Sequence, residues 1–340
     1  MVRKGALLRL LAIGLIAGLI TSAVAYFIDW LPASASEQQD RIEFVYWFAT
    51  VICIVIFSVV AGWLVYAVIA FRVKPGDDTD GPPIHGHSGL EVAWTAVPAL
   101  LVIAIGVVTA VVLSRNADAG SNPLHIKVFA QQFAWRFQYP DDGGFTSNEL
   151  VMPLDRAIKF EMTSADVIHS FWIPEMGQKQ DLLPGVETSI VITPTRLGSY
   201  TLVCTELCGA GHATMRGPAR VVGTADFTAW ASKQSEAAGD GGAGGAGPNG
   251  AKLFAANGCG GCHTFKPAGS DGQIGPDLDG LAKAAAAAGK EPEEFVKQSI
   301  ADPNAYLAPG YQGGVMPGTF AKTLKPEEID ALVEYLLGKE

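Results

Sequence analysis

Three long apolar runs dominate the first third of the chain, and from residue 124 the hydrophobic period shortens to two. Residues 44–71, "FVYWFATVICIVIFSVVAGWLVYAVIAF", and 92–113, "VAWTAVPALLVIAIGVVTAVVL", each reach or exceed the roughly 20 residues that carry a helix across hydrocarbon. They predict a two-helix transmembrane hairpin over 41–115. The run at 6–28, "ALLRLLAIGLIAGLITSAVAYFI", follows the basic Arg3 and Lys4 and precedes "LPASA". The small Ala33 and Ala35 suit cleavage, so residues 1–35 are expected to be a signal peptide. Arg72 and Lys74 close the second run, which puts the loop 72–91 in the cytoplasm and everything after 114 outside.

Leu124, Ile126 and Val128 alternate with polar neighbours; then the parity flips, and Phe133, Trp135, Phe137 and Tyr139 alternate in turn. A flip within one strand predicts a bulge near 130–132. Short strands follow in "AIKFEMT", "TSIVITP" and "SYTLVC", divided by Pro and Gly turns. That spacing predicts an all-β sandwich or barrel over 123–223. The stretch 224–248 runs into "GDGGAGGAGPNG" and is expected to be a flexible linker. Beyond it, "NGAKLFAANG", "PEEFVKQSI" and "KPEEIDALVEYLL" have helical periodicity, and the last two open on Pro followed by acidic residues. Residues 249–340 should therefore form a small all-α domain, with the alanine run 284–288 as helix filler or flexible insert.

The chain has 340 residues, enough for two or three domains. Its net charge of -10 is spread through interspersed residues, which excludes the clustered basic footprint of a nucleic-acid binder. Five cysteines are present. Cys53 is alone in an apolar run and reads as a small hydrophobe. The others form two pairs, Cys204 with Cys208 and Cys259 with Cys262, each with a histidine close behind. On an oxidising outer side, such cysteines belong in disulfides, metal sites or covalent haem.

The stretch "CTELCGAGHATM" at 204–215 sets Cys204, Cys208, His212 and Met215 in one loop. A local disulfide beside an ordinary histidine would fit the spacing, as would zinc. Methionine favours copper, for which a Cys-His-Met set on a β-sandwich is an electron-transfer site. Two thiolates could bridge two copper ions, with His169 in "ADVIHSFWIPEMG" as the second imidazole. In the last domain, "CGGCH" gives Cys259, Cys262 and His263, the attachment pattern of c-type haem. No Cys or His follows His263, which argues against a zinc knuckle. Met316 is the only methionine after that motif and is the candidate sixth iron ligand. His85 and His87 read as residues of a solvated turn, and His125 as a surface residue at a strand start.

These residues resemble subunit II of the haem-copper cytochrome c oxidases, the subunit with the dinuclear CuA centre. The resemblance covers 41–223 and includes "HGHSGLEVAWTAVP", "QQFAWRFQYPD", "HSFWIP", "DLLPG" and the Cys-x3-Cys-x3-His-x2-Met loop. It implies a cupredoxin-like sandwich. The copper ligands would be His169, Cys204, Cys208, His212 and Met215, with the carbonyl of Glu206. The Glu206 side chain would reach a magnesium ion at the subunit I interface. Glu91 resembles the family's acidic residue near a proton channel of subunit I, and a plain reading makes it an interfacial anchor. The chain departs from the family at Phe133, where a Trp usually receives electrons, while Trp135 matches. The C-terminal domain resembles class I cytochrome c, in which helices like those bearing Phe254 and Tyr335 cross.

The implied function is passage of electrons from a donor through haem c and CuA to haem a of subunit I, where oxygen is reduced. The implied partners are subunit I, other oxidase subunits, the membrane, and a donor such as a cytochrome bc-type complex or a soluble cytochrome c. The implied place is a bacterial cell membrane with both cofactor domains outside. Intact Cys204, Cys208 and His212 argue against a quinol oxidase subunit. A CuA subunit of a nitric oxide reductase and a free membrane-anchored electron carrier are the other readings.

Overall fold

The computed structural model describes residues 4–73, 75–76, 80–81, 83, 85–243 and 249–339. Arg3, Lys74 and residues 244–248 of the expected linker lie outside these. The chain divides into two compact units, one of membrane-type helices and one made of Ser34–Gln39 with Ala117–Glu340.

The first unit has three long apolar helices among the described residues: α1 (Lys4–Phe27), α2 (Glu37–Ala70) and α3 (Ser88–Asn116). The run expected as a leader is thus a helix, and it is packed on α2 through small residues. Gly14 and Gly18 on α1 face Ser58 and Gly62 on α2. A Cβ on Gly18 would lie 2.9 Å from Ser58 Oγ, and one on Gly62 would lie 3.1 Å from Gly14 Cα. In lipid, apolar side chains gain nothing by leaving their surroundings, so such close backbone approach is what holds two helices together.

The segment Ser34–Gln39 belongs to the second unit. Ala35, expected beside a cleavage point, is 0 % exposed. Its N–H donates to Glu175 O at 2.8 Å, and its carbonyl accepts from Thr195 N at 2.9 Å. Ser36 Oγ accepts from Gln39 N at 3.0 Å, capping the first turn of α2, and donates to Met176 O at 2.9 Å.

The sandwich begins with β1 (Leu124–Gln131), β2 (Ala134–Gln138), β3 (Thr146–Ser147), β4 (Leu150–Pro153), β5 (Ile158–Ser164) and β6 (His169–Trp172). It is completed by β7 (Lys179–Leu182), β8 (Thr188–Ile192), β9 (Gly198–Cys204) and β10 (Arg216–Val222). One sheet runs β3-β2-β1-β5-β8 and the other β4-β10-β9-β6-β7. The pairs β1 with β5 and β4 with β10 are parallel. Period-two apolar residues from both inner faces, among them Ile126, Phe137, Phe160, Phe171 and Leu202, fill the space between the sheets. This is the cupredoxin-like sandwich expected.

The parity flip has a different cause from the bulge expected. Gln132 and Phe133 form a two-residue turn, and β1 pairs antiparallel with β2, Val128 opposite Phe137 and Ala130 opposite Trp135. Partners opposite each other share a face, and a two-residue turn pairs even positions with odd ones. The inward set therefore changes parity because the chain reverses.

The expected linker is helical at its start: α4 spans Thr224–Ala243. Phe227, Trp230 and Ala231, spaced as one helical stripe, pack on the sandwich core. Trp230 meets Tyr139 and Phe145 edge-on at centroid distances of 5.1 and 5.4 Å. Burial of that stripe, overlooked among the glycines that follow, keeps the coil from beginning at 224.

The last domain contains α5 (Gly250–Ala256), β11 (His263–Phe265), β12 (Ser270–Gln273), α6 (Leu281–Ala287), α7 (Pro292–Ala301), α8 (Phe320–Thr323) and α9 (Pro326–Leu336). The alanine run is mostly helix, with Ala285 buried. Phe254 on α5 meets Tyr335 on α9 at 5.9 Å, so the two terminal helices cross as expected.

Removing residues 1–35 would take away the α1 packing and both backbone bonds of Ala35. The intact mass of the chain purified from membranes is therefore expected to include these residues, and a mass starting at Ser36 would contradict this.

Candidate copper and haem sites

The first site forms where two neighbouring strands of one sheet end together. Antiparallel pairing sets Phe171 opposite Cys204, so His169 at the start of β6 and Cys204 at the end of β9 reach the same edge of the sandwich. The loop 205–215 then turns back, closed by Cys204 N to Met215 O at 3.1 Å and Thr205 N to Ser170 O at 3.0 Å. Five soft side chains converge. Cys204 Sγ lies 3.9 Å from His169 Nδ1 and 3.9 Å from Cys208 Sγ. Cys208 Sγ lies 3.5 Å from His212 Nδ1 and 3.7 Å from Met215 Sδ. The Glu206 carbonyl is 3.3 Å from Cys204 Sγ, and its side chain is exposed. Both cysteines are free, so the disulfide alternative does not describe this loop.

The electrostatics ask for cations. Burial raises the cost of charging either thiol, yet hydrogen bonds from His169, Ser170 N and the loop bring Cys204 below its ordinary value. Burial and the neighbouring Cys204 charge push Cys208 above its ordinary value. One thiolate is favoured and the second is opposed by the first. Two thiolates can coexist here only beside bound positive charge, and two imidazoles with a thioether complete a set suited to copper.

A residue the sequence reading overlooked orients the first imidazole. Asp166, with a side chain 5 % exposed, accepts from His169 Nε2–H at 2.8 Å. Its other oxygen accepts from Gln132 N at 2.8 Å. Burial acts to raise the Asp166 carboxyl, but the hydrogen bonds from His169 and the Gln132 amide outweigh it and hold the group below its usual value. The proton on Nε2 leaves Nδ1 turned toward the sulfurs, the usual way in which a carboxylate fixes a metal-binding histidine. An Asp three residues before a candidate ligand was the available signal.

The second site is a cavity of about 470 Å³ in the last domain. Cys259, Cys262, His263 and Met316 all line it, with an apolar wall that includes Leu278, Phe295, Val296 and Phe320. His263 Nδ1 donates to Pro276 O at 2.7 Å, leaving Nε2 for a ligand in the cavity. The ring lies on Gly275, where any Cβ would strike it. Burial depresses the His263 pKa, which favours the neutral, iron-binding imidazole, and pushes the Cys259 thiol up to about 12. The donor set and the apolar walls fit a covalently attached haem.

Outside these sites, His125 pairs with Asp141 at 3.1 Å on the surface. Glu91 sits in the first turn of α3 and accepts from His87 N at 3.0 Å.

Known proteins share these sequences. The cytochrome c oxidase subunit II periplasmic domain matches residues 145–222, its transmembrane domain 21–111, and cytochrome c 248–339. Cytochrome c oxidase subunit 2 of Bacillus subtilis is 30 % identical over 80 % of this chain and 81 % of its own. That of Synechocystis sp. is 32 % identical over 55 % of this chain and 70 % of its own. The crystal structure of the periplasmic domain of subunit II of cytochrome oxidase from Bradyrhizobium japonicum is 31 % identical, with 35 % of this chain and 99 % of that one covered at a TM-score of 0.34. The chain belongs to the cytochrome c oxidase subunit II family, with a cytochrome c domain at its C-terminal end.

Replacing Asp166→Ala removes the acceptor of His169 Nε2–H. Copper affinity of the intact chain is expected to fall about 10–100-fold, measured by competition with a copper chelator.

Proposed function

We propose that this chain receives electrons for a haem-copper oxidase of a bacterial cell membrane. A donor such as a cytochrome bc-type complex or a soluble cytochrome c would supply them on the outer side. When bound, haem c and the dinuclear CuA centre supply one-electron redox chemistry, ending at haem a of subunit I, where oxygen is reduced. The observation that carries this reading is the pair of free thiols 3.9 Å apart. A zinc site does not need two adjacent sulfurs with a thioether beside them, whereas two coppers sharing an electron do.

Each residue then has a task. His169, Cys204, Cys208, His212 and Met215, with the Glu206 carbonyl, hold the copper pair. Cys259 and Cys262 would attach haem covalently, and His263 and Met316 would bind its iron. The exposed Glu206 carboxylate is free to reach magnesium at the subunit I interface. The apolar wall of the haem cavity excludes water there, which limits the solvent that must reorganise when charge moves.

The full chain purified from membranes is expected to carry two coppers per haem and an EPR signal of one electron shared between both coppers. A single-copper signal, or zinc alone, would refute the reading. Met316→Ala should lower the haem potential and open the iron to carbon monoxide, and an unchanged spectrum and potential would make Met316 a packing residue.

A further inference from the structure

Between α7 and α8 the chain runs through residues 302–319 without helix or strand, and Met316 stands near the far end of this loop. A stretch of that length has many conformations open to it. A side chain carried on it is held at one point of the cavity only where the loop is tied. The near end is tied to α7. Asp302 N donates to Gln298 O at 2.7 Å, and the Tyr306 ring meets Phe295 edge-on at 5.1 Å. The backbone bonds inside the loop, Ala305 N to Asp302 O and Tyr311 N to Ala308 O, each close a single turn. None of these reaches the part that bears Met316.

Asn304 does. Its Oδ1 accepts from Gly314 N at 2.8 Å, ten positions along the chain and two before Met316. The backbone that receives this clip is shaped for it. Gly314 has φ +76, in the left-handed region that favours glycine. A Cβ on Gly313 would stand 3.1 Å from Asn304 Oδ1 and 3.6 Å from Leu307 Cδ1, so a side chain there would press on the acceptor. Asn304 and Met316 both line the cavity, yet Asn304 is exposed. An exposed hydrogen bond adds little to the stability of a whole domain, and its consequence here is local: it joins the tied end of the loop to the end with the thioether.

We propose that Asn304 is the positioning residue for Met316, its side-chain carbonyl clipping the loop so that the thioether stays at the cavity. This rests on the haem reading given above. Asn304 acts through the loop, and without its acceptor Met316 leaves its place more often.

The test uses the full chain in its assembled oxidase, reduced and mixed with carbon monoxide. Binding is read in the haem c absorption, because that iron takes the gas only when Met316 has left it. Asn304→Ala should bind carbon monoxide about tenfold faster than the unaltered chain, the effect of losing one hydrogen bond that closes the loop. It should also weaken the absorption band of the ferric iron–thioether bond. Asn304→Asp keeps an acceptor for Gly314 N and should bind at close to the unaltered rate. Gly313→Val crowds the acceptor from the other side and should behave as Asn304→Ala does. Asp330→Asn breaks the surface pair with Lys297, outside the loop, and should leave the rate unchanged. A merely structural role would lower the thermal stability of Asn304→Ala without moving the carbon monoxide rate. An unchanged rate and band in Asn304→Ala and Gly313→Val overturns the proposal, as does an equal acceleration in Asp330→Asn. If the unaltered chain lacks the iron–thioether band, Met316 is no ligand, and it is the haem assignment that fails, taking the proposal with it.

Discussion

Two thiols held side by side without bonding are the constraint around which the outer part of this chain is arranged. At 3.9 Å, Cys204 and Cys208 are too far apart for a disulfide and too close, in a buried site, for two uncompensated negative charges. The strands β6 and β9 bring His169 to the same edge, and the loop bends until His212 and Met215 face the second sulfur. Asp166 then fixes which nitrogen of His169 is available. A site of this kind is built to be neutralised by metal.

The turn at Gln132 and Phe133 lies on that loop, and both residues also line the haem cavity. It is anchored from below by Asp166, which holds the Gln132 amide and His169 with its two oxygens. It is anchored from the side by the Cys208 carbonyl. Beside it, Ala134 and Gly258 are both small, and a Cβ on Gly258 would stand 2.7 Å from Ala134 Cβ. The same device recurs between α1 and α2, where glycines admit a neighbouring backbone. In both places the missing side chain is the structural feature, because contact area grows as backbones approach.

Much of this was legible in the sequence. The apolar runs, the period-two strands, the Cys-x3-Cys-x3-His-x2-Met loop and the CxxCH all depend on neighbours along the chain, and local pattern is where a sequence is explicit. Parity alone cannot distinguish a kink from a reversal, so the pattern at Gln132 fits a bulge as well as the hairpin that forms. The helix α4 is hard to see in the sequence because Phe227 and Trp230 stand just before a glycine-rich run. Their partners Tyr139 and Phe145 are some 85 residues earlier, as the numbering shows.

By itself, then, the sequence determined the membrane helices, the class of each exported domain and the identity of the soft ligands, since hydrophobic period and side-chain chemistry are properties of the residues themselves. Only the tertiary structure decided that Asp166 orients His169, that Ala35 lies in the interior, and that Gly258 meets Ala134. Each of these is a contact between segments distant in sequence or a consequence of burial, and neither distance through space nor exclusion of water is written in a local pattern.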